Sequence, residues 1–356
     1  MVDFAGFNIV INAAIFAAAA VVVWLAGTRL THFANAISAK TGLGQAVVGM
    51  LLLGGITSLP EIGATVTSAA TGAAALALNN LLGSIAAQVA ILAMVDMLIA
   101  RKALTASVPD PMVMLQGGLN VLLLAIVAAG TVTGDIGLLG VGAWSWACAL
   151  AYAFSVYLLA QSQGRQSWLP AESAKVDRRL EEQQARAQKK VNARFADRTL
   201  VNLVAWTAGL GLAILIAGYL LSRTGDALAL QTGLGGGFMG FALLAFATSL
   251  PELSTSITAV RDGLYTLAVS DILGTNLINV GLVFLIDLVA GGEPILNQAG
   301  AFASFGALLG IAVTSLFVIG MAERGDKTVL RMGLDSAAVL VCYGAGLVIM
   351  FFLRGG

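Results

Sequence analysis

The sequence contains one pentapeptide twice. Thr57-Ser58-Leu59-Pro60-Glu61 recurs as Thr248-Ser249-Leu250-Pro251-Glu252, 191 residues further along. Both copies lie in long apolar segments, where an ionised carboxylate costs several kcal/mol unless it meets a cation or water. Neither segment has a Lys or Arg at depth. The repeat therefore predicts one glutamate from each copy in a site that takes a cation from solution.

The residues around the two glutamates supply further oxygen atoms. Positions three and four apart share a helix face, so each glutamate belongs to a predicted polar stripe. The stripes consist of Thr57, Ser58, Glu61, Thr65 and Ser68, and of Thr248, Ser249, Glu252, Thr255 and Ser256. A mid-helix proline frees backbone carbonyls, here those of Ile56 and Ala247. Carboxylates, hydroxyls and carbonyls form an all-oxygen set suited to a hard cation such as Ca²⁺.

The next apolar segment of each copy carries a polar pair at helical spacing. Ser84 and Gln88 lie four residues apart, as do Thr275 and Asn279. These neutral donors suit Na⁺ or an ordered water, and hydrogen bonding between helices is the alternative. Asp271 lies nearer the end of its segment and is predicted to attract cations at an entrance or, alternatively, to be a solvated helix-end acid. Asp96 and Asp287 align in the repeat and are expected at the membrane interface.

The composition predicts the elements that must position these residues. Hydrophobic residues make up 58% of the 356 residues and charged residues 11%, so a bilayer is the expected solvent. We predict an all-α polytopic membrane protein with ten transmembrane helices, arranged as two inverted five-helix repeats. The apolar runs are 8-28, 44-70, 75-100, 112-133, 137-160, 199-222, 233-260, 265-290, 299-322 and 334-353.

The basic residues predict the topology. Cytoplasmic loops carry an excess of Lys and Arg, and the long polar loop 161-198 holds nine of them. If that loop is cytoplasmic, 17 of the 19 basic residues fall on its side and only Arg223 and Arg354 on the other. We therefore expect an integral protein of a prokaryotic inner membrane, with both termini outside. The first run lacks the basic start of a secretion signal and is expected to be retained.

The topology also fixes the relation between the halves. Residues 1-160 form the first predicted half, with its repeat at 44-100, and residues 199-356 form the second, with its repeat at 233-290. The loop 161-198 is the predicted linker, part of which suits a surface helix. Because an odd number of spans separates the copies, they cross the membrane in opposite directions. Inverted repeats with a midplane site are typical of secondary transporters.

These motifs resemble those of the calcium/cation antiporter superfamily, and specifically its sodium/calcium exchanger family. That family has a Gly-Thr-Ser-Leu-Pro-Glu helix followed by a Gly-Ser-Asn helix in each of two repeats. The resemblance implies that Glu61 and Glu252 bind Ca²⁺ with the help of Thr57 and Thr248. It also implies that the long helices at 8-28 and 199-222 slide against a rigid core.

The resemblance further implies flanking sites for the coupling cation, Na⁺ or H⁺. The residues implied are Ser58, Ser84, Gln88, Ser249, Thr275 and Asn279. The chain departs from the family pattern where Ile85 follows Gly83-Ser84 and where Asp271 replaces an amide. The potassium-dependent branch has an aspartate at the position of Asn279, which argues against K⁺ coupling here.

Together these observations predict a secondary active antiporter, not an enzyme, that exchanges Ca²⁺ for Na⁺ by alternating access. Ca²⁺/H⁺ exchange, or exchange of another divalent cation, is the alternative. A cation channel would share the symmetry but would conduct without a counter-ion. An intramembrane protease would need aspartates rather than these Pro-Glu motifs. No cofactor is expected beyond the transported ions, and the expected partners are the lipid bilayer and inorganic cations, with no nucleic acid.

Overall fold

The computed structural model describes residues 4, 6–99, 103–108, 110–162, 174–232, 248–323, 327–329 and 332–353. Within these ranges the chain is helical apart from two short hairpins and several turns, which confirms the all-α prediction. The helices are α1 (Ile9–Thr41), α2 (Gln45–Thr57, including a π-helical turn), α3 (Leu59–Ala70), α4 (Ala74–Ile99), α5 (Pro111–Thr133), α6 (Ala143–Ser162), α7 (Ala174–Ala193), α8 (Leu200–Gln231), α9 (Leu250–Arg261), α10 (Tyr265–Ala290), α11 (Ala301–Glu323) and α12 (Leu334–Leu353).

Eight single helices in the described ranges are long and apolar enough to cross a membrane. The bent pair α2 and α3 makes a ninth span if it is counted as one. The predicted tenth span, 233-260, lies partly outside the described residues, which cover it from 248 onward as α9. The polytopic membrane fold is thus confirmed, while the count of ten remains a prediction.

The two halves repeat each other with the offset that the pentapeptide shows. Helices α4 and α10 begin and end at residues that differ by 191 positions. The same offset relates hairpin β1–β2 (Gly137–Leu138 and Val141–Gly142) to hairpin β3–β4 (Thr328–Val329 and Met332–Gly333). The prediction of a helix from residue 137 was therefore wrong by six residues. Leu139 and Gly140 have positive φ values of 54° and 82°, and this turn is incompatible with a helix.

The core lies around α4 and α10, which pack against each other and against their neighbours from both halves. Helices α1 and α8 instead pack along each other at the side of this core. Their shared contact is extensive, because Ala19 and Val23 pack with Ala217 and Leu221, and a second cluster joins Phe33, Ala36 and Ile37 to Leu203. Much of the outward surface of α1 and α8 is apolar, as expected for helices that contact lipid.

Asp96 and Asp287 connect the halves in a reciprocal way. The carboxylate of Asp96 accepts the N–H of Leu104 at 2.9 Å and the N–H of Gly333, in the other half, at 2.9 Å. In turn, Asp287 accepts the N–H of Ile295 at 2.6 Å and the N–H of Gly142 at 3.0 Å. Both aspartates are buried in the protein and lie near the ends of α4 and α10, so their position at the level of the membrane interface remains a prediction.

Helix α7 of the predicted linker lies against the ends of other helices. Asn192 accepts a hydrogen bond from Asn35 of α1 at 3.0 Å, and Gln184 accepts one from Thr266 of α10 at 3.1 Å. Nearby, His32 lies 2.8 Å from Asp262, and this hydrogen bond holds the pKa of the Asp262 carboxyl below its ordinary value. Helix α7 therefore bridges a side helix and a core helix.

We expect Asp96→Asn and Asp287→Asn each to lower the thermal stability of the detergent-solubilised protein. The amide NH₂ of asparagine would face a backbone N–H and leave a buried donor unsatisfied, at a cost of about 1–3 kcal/mol. Thermal unfolding followed by size-exclusion chromatography measures the effect. Asp110→Asn is the matched control, because Asp110 caps α5 through one oxygen that accepts the N–H of Met112, and asparagine caps equally well. An unchanged melting temperature in both Asp96→Asn and Asp287→Asn would contradict the role assigned to these carboxylates.

Candidate functional site

The pentapeptide lies where a helix stops and a new one begins. Helix α2 ends at Thr57, Ser58 forms the turn, and α3 begins at Leu59 with a 46° bend between the two. In the second copy, Ser249 likewise precedes α9. The prolines therefore occupy the first turn of a helix, where their missing N–H removes no helical bond. This corrects the expectation of a continuous helix with a proline at its middle.

The break places both glutamates at helix starts. Glu61 lies in the first turn of α3, and Glu252 lies in the first turn of α9. The N-terminal end of a helix carries unpaired N–H groups and a partial positive charge, which stabilise a carboxylate. The carbonyl of Gly54, which accepts the N–H of Ser58 at 3.0 Å, also accepts the hydroxyl of Ser58 at 2.5 Å. The carbonyl of Ala247 lies outside the described residues.

The two glutamates are fully buried, and their carboxylates are close enough to affect each other electrostatically. Each side chain is 0% exposed. Neither carboxylate oxygen of either glutamate has a hydrogen-bond partner among the residues that the structure describes. Glu252 experiences the charges of both Glu61 and Asp271. Two buried like charges without partners repel strongly in a medium of low dielectric constant, so this arrangement favours either a bound cation or protonation of a carboxyl group.

Asp271 lies inside this cluster rather than at an entrance. Its side chain is 0% exposed, and its carboxylate accepts hydrogen bonds from Thr57 at 3.4 Å and from Thr255. Thr57 also lies 3.3 Å from Thr275. Because Thr57 belongs to the first repeat and the other three residues to the second, Asp271 and Thr57 connect the two motifs at the site.

The residues predicted to hold the coupling cation are buried as well. Ser84, Gln88, Ser249 and Asn279 have side-chain oxygen or nitrogen atoms without a hydrogen-bond partner in the described part of the chain. For Ser84, Gln88 and Asn279 the alternative was hydrogen bonding between helices, and these unpartnered atoms form no such bond with any described residue. Ser58 and Thr275 differ, because their hydroxyls donate to the carbonyl of Gly54. Thr248 is also fully buried.

Three further polar residues belong to this region. Asn276 is 0% exposed, and neither atom of its amide has a described partner. Asn80, the counterpart of Asp271, and Thr65 are buried with an unpartnered oxygen each. Burial of an unpaired amide is costly, and the amide-rich stretch after Gly274 was the sequence signal for Asn276. Within the described residues, no three His, Cys, Asp or Glu side chains are grouped closely enough to hold a metal by themselves, so hydroxyls and carbonyls must complete any metal shell.

A cavity of about 340 Å³ lies next to the helix that carries Glu61. Its inner part is lined by Pro60 and Thr65, which flank Glu61 in the sequence, and by Asn80. Its outer part is lined by Tyr219 and Arg223 of α8. The cavity lies between α3, α4 and α8, so a movement of α8 would change its width.

Comparison with known proteins identifies the family. A sequence model of the family described as "Sodium/calcium exchanger protein" matches residues 11–163 and 202–352. The inner membrane protein YrbG of Escherichia coli (strain K12) is 45% identical over 56 residues, which are 15% of this chain and 17% of YrbG. The matched part thus spans less than a fifth of that relative.

Solved structures of the sodium-calcium exchanger NCX_Mj have the same fold. With the crystal soaked in Na⁺ and Sr²⁺, the TM-score is 0.70 at 15% identity, covering 96% of this chain and 99% of NCX_Mj. With the crystal soaked in zero Na⁺ and Ca²⁺, the TM-score is 0.68 at 16% identity, with the same coverage. Since the family model matches most of the chain in both halves, this protein belongs to the sodium/calcium exchanger family, whose members are integral membrane antiporters of cations.

Proposed function

We propose that this antiporter exchanges Ca²⁺ for Na⁺ by alternating access. The observation that carries the proposal is the pair Glu61 and Glu252, one from each inverted half, buried with all four oxygens unpartnered among described residues. A divalent cation neutralises both at once, and oxygen ligands suit Ca²⁺. Thr57 and Thr248, fully buried beside the glutamates in their motifs, complete the proposed calcium shell.

Exchange follows from competition for the same carboxylates. Na⁺ ions would occupy flanking positions formed by Ser58, Ser84, Gln88, Ser249, Thr275 and Asn279, together with the glutamates. An empty site would leave like charges unneutralised in low dielectric, so the site would reorient only when loaded. Obligatory occupancy makes the flux of one cation depend on that of the other. H⁺ could take the place of Na⁺, since protonation neutralises a carboxylate equally well.

We expect calcium-45 uptake into proteoliposomes when an outward Na⁺ gradient is imposed, and no uptake without a counter-gradient. Gradients of Na⁺ and of pH are imposed separately in otherwise identical vesicles. Uptake driven by the pH gradient alone would identify H⁺ as the coupling ion. Uptake that persists without either gradient would indicate a channel and would refute exchange.

The glutamate variants test the site in the same assay. Glu61→Gln and Glu252→Gln retain shape but remove the charge, so each should abolish uptake while the protein still elutes as a single folded species. Glu293→Gln is the matched control, because Glu293 lies exposed in the loop after α10. Near-normal uptake by both site variants would exclude these glutamates as ligands.

Asp271→Asn should weaken Ca²⁺ binding without abolishing exchange. Asparagine keeps an oxygen that can accept the Thr57 and Thr255 hydroxyls, but the third negative charge of the cluster is lost. We expect the Ca²⁺ concentration for half-maximal uptake to rise about tenfold, which corresponds to about 1.4 kcal/mol. Asp110→Asn, at the remote cap of α5, should leave it unchanged. An unaltered concentration dependence in Asp271→Asn would show that Asp271 does not contribute charge to the site.

Two glycines at the contact between side helices and motifs should be needed for alternating access. A Cβ at Gly27 of α1 would meet Ser254 and the carbonyl of Pro251, whereas a Cβ at Gly218 of α8 would meet the ring of Pro60. Gly27 and Gly218 are related by the repeat offset, so each side helix contacts the motif of the opposite half. Movement of α1 and α8 past the prolines would therefore be hindered by a methyl group.

We expect Gly27→Ala and Gly218→Ala to slow exchange by about tenfold or more while Ca²⁺ still protects the protein against thermal unfolding. The expected obstacle is steric and affects movement, so binding and transport should separate. Gly209→Ala in α8 is the control, because a Cβ there would meet nothing within 4 Å. Wild-type exchange rates in both variants would show that these contacts do not limit the movement.

A further inference from the structure

A second cavity, of about 410 Å³, lies where the C-terminal half of α1 meets the start of α8, on the predicted cytoplasmic side. Its basic groups are Arg29 of α1 and Arg198, which lies just before α8. Its aromatic groups are Phe33, Phe195 and Trp206. We call it the arginine-aromatic cavity. It is separate from the cavity beside Glu61, with which it shares no residue.

The two arginines of this cavity have no ion pair within the part of the chain that the structure describes. Arg29 is exposed and has no ion pair among described residues, and Arg198 makes one hydrogen bond, at 3.4 Å, to the side chain of Asn202. No carboxylate lines the cavity in the described chain. His32 also lines the cavity, and it is paired with Asp262 at 2.8 Å. With respect to the described residues, an anion would therefore find two guanidinium groups that no carboxylate occupies.

The aromatic side gives the cavity a fixed apolar wall. Phe33 and Phe195 pack edge to face with ring centres 5.3 Å apart, and the guanidinium of Arg198 lies 5.8 Å from the centre of the Phe33 ring. Trp206 is 53% exposed on the lipid-facing side of α8, with Leu210 one turn further along the same face. A small soluble anion would gain no favourable contact from this apolar wall, whereas a lipid acyl chain would.

We propose that the arginine-aromatic cavity binds an anionic phospholipid, with its phosphate between Arg29 and Arg198 and an acyl chain along Trp206 and Leu210. Guanidinium groups bind phosphate through paired hydrogen bonds, and basic cavities between transmembrane helices favour anionic head groups. Tryptophan is enriched at the level of lipid head groups. The site joins α1 and α8, the two helices that pack beside the core, and it requires no assumption about which cations are transported.

Fluorescence quenching in vesicles tests this site directly. The protein is reconstituted in phosphatidylcholine with a minor fraction of either phosphatidylglycerol or phosphatidylcholine that carries brominated acyl chains. The signal of Trp206 is the difference between wild type and Trp206→Phe. We expect brominated phosphatidylglycerol to quench this signal at a roughly tenfold lower fraction than brominated phosphatidylcholine.

The arginines are tested with a charge-matched control. Arg29→Gln combined with Arg198→Gln should remove the preference for phosphatidylglycerol, whereas Arg223→Gln, at the other end of α8, should retain it. Equal quenching by both brominated lipids in the wild type, or an unchanged preference in the double variant, would overturn the proposal. Relief of the quenching by millimolar inorganic phosphate would identify a site for free phosphate and would also overturn the lipid assignment. Because quenching is read without transport, the outcome is independent of the exchange assay.

Discussion

The structure depends on carboxylates buried in low dielectric without a protein countercharge. Glu61, Glu252 and Asp271 are all 0% exposed, and the one basic residue in α3, α9 and α10, Arg261, lies at the opposite end of α9 from Glu252. Such a group is expensive in a membrane unless a cation or a helix end stabilises it. The chain supplies the helix ends itself, by beginning a new helix at each Leu-Pro-Glu. In the proposed function the cation comes from solution, and binding energy is thereby reserved for the transported ion.

The surrounding scaffold keeps this unfavourable arrangement in place. Asp96 and Asp287 hold each half to a hairpin of the other, and α4 and α10 pack together at the centre. Unlike the motif glutamates, these two aspartates accept backbone N–H groups. The carboxylate group therefore has opposite uses within one repeat, because a satisfied carboxylate stabilises the fold while an unsatisfied one, in the proposed function, binds a cation.

The fold class could be predicted because two signals can be read from one sequence without an alignment. These are apolar runs long enough to span a membrane and a repeat with a fixed offset. The bounds of α10 and α12 were predicted to the residue. The burial of Asp96 was missed because its partners are backbone groups of Leu104 and Gly333, which have no sequence signature. The first hairpin was missed because residues 137–142 are as apolar as the helix that follows, whereas the second lies between two predicted helices where no element was predicted. The depth of Asp271 was misjudged because position along a helix does not reveal how its neighbours cover it.

The two halves differ at one buried position, where the second half has an acid and the first has an amide. Asp271 occupies the position that Asn80 holds in the first half, so the inverted symmetry of the backbone is not matched by the charges. A transporter with identical halves would present the same energy profile to both faces of the membrane. Here the second repeat supplies two buried acids, Glu252 and Asp271, and the first supplies one, Glu61. Under the proposed alternating access, the inward-open and outward-open forms are therefore expected to differ in apparent affinity, and one direction of turnover would saturate at lower ion concentration than its reverse.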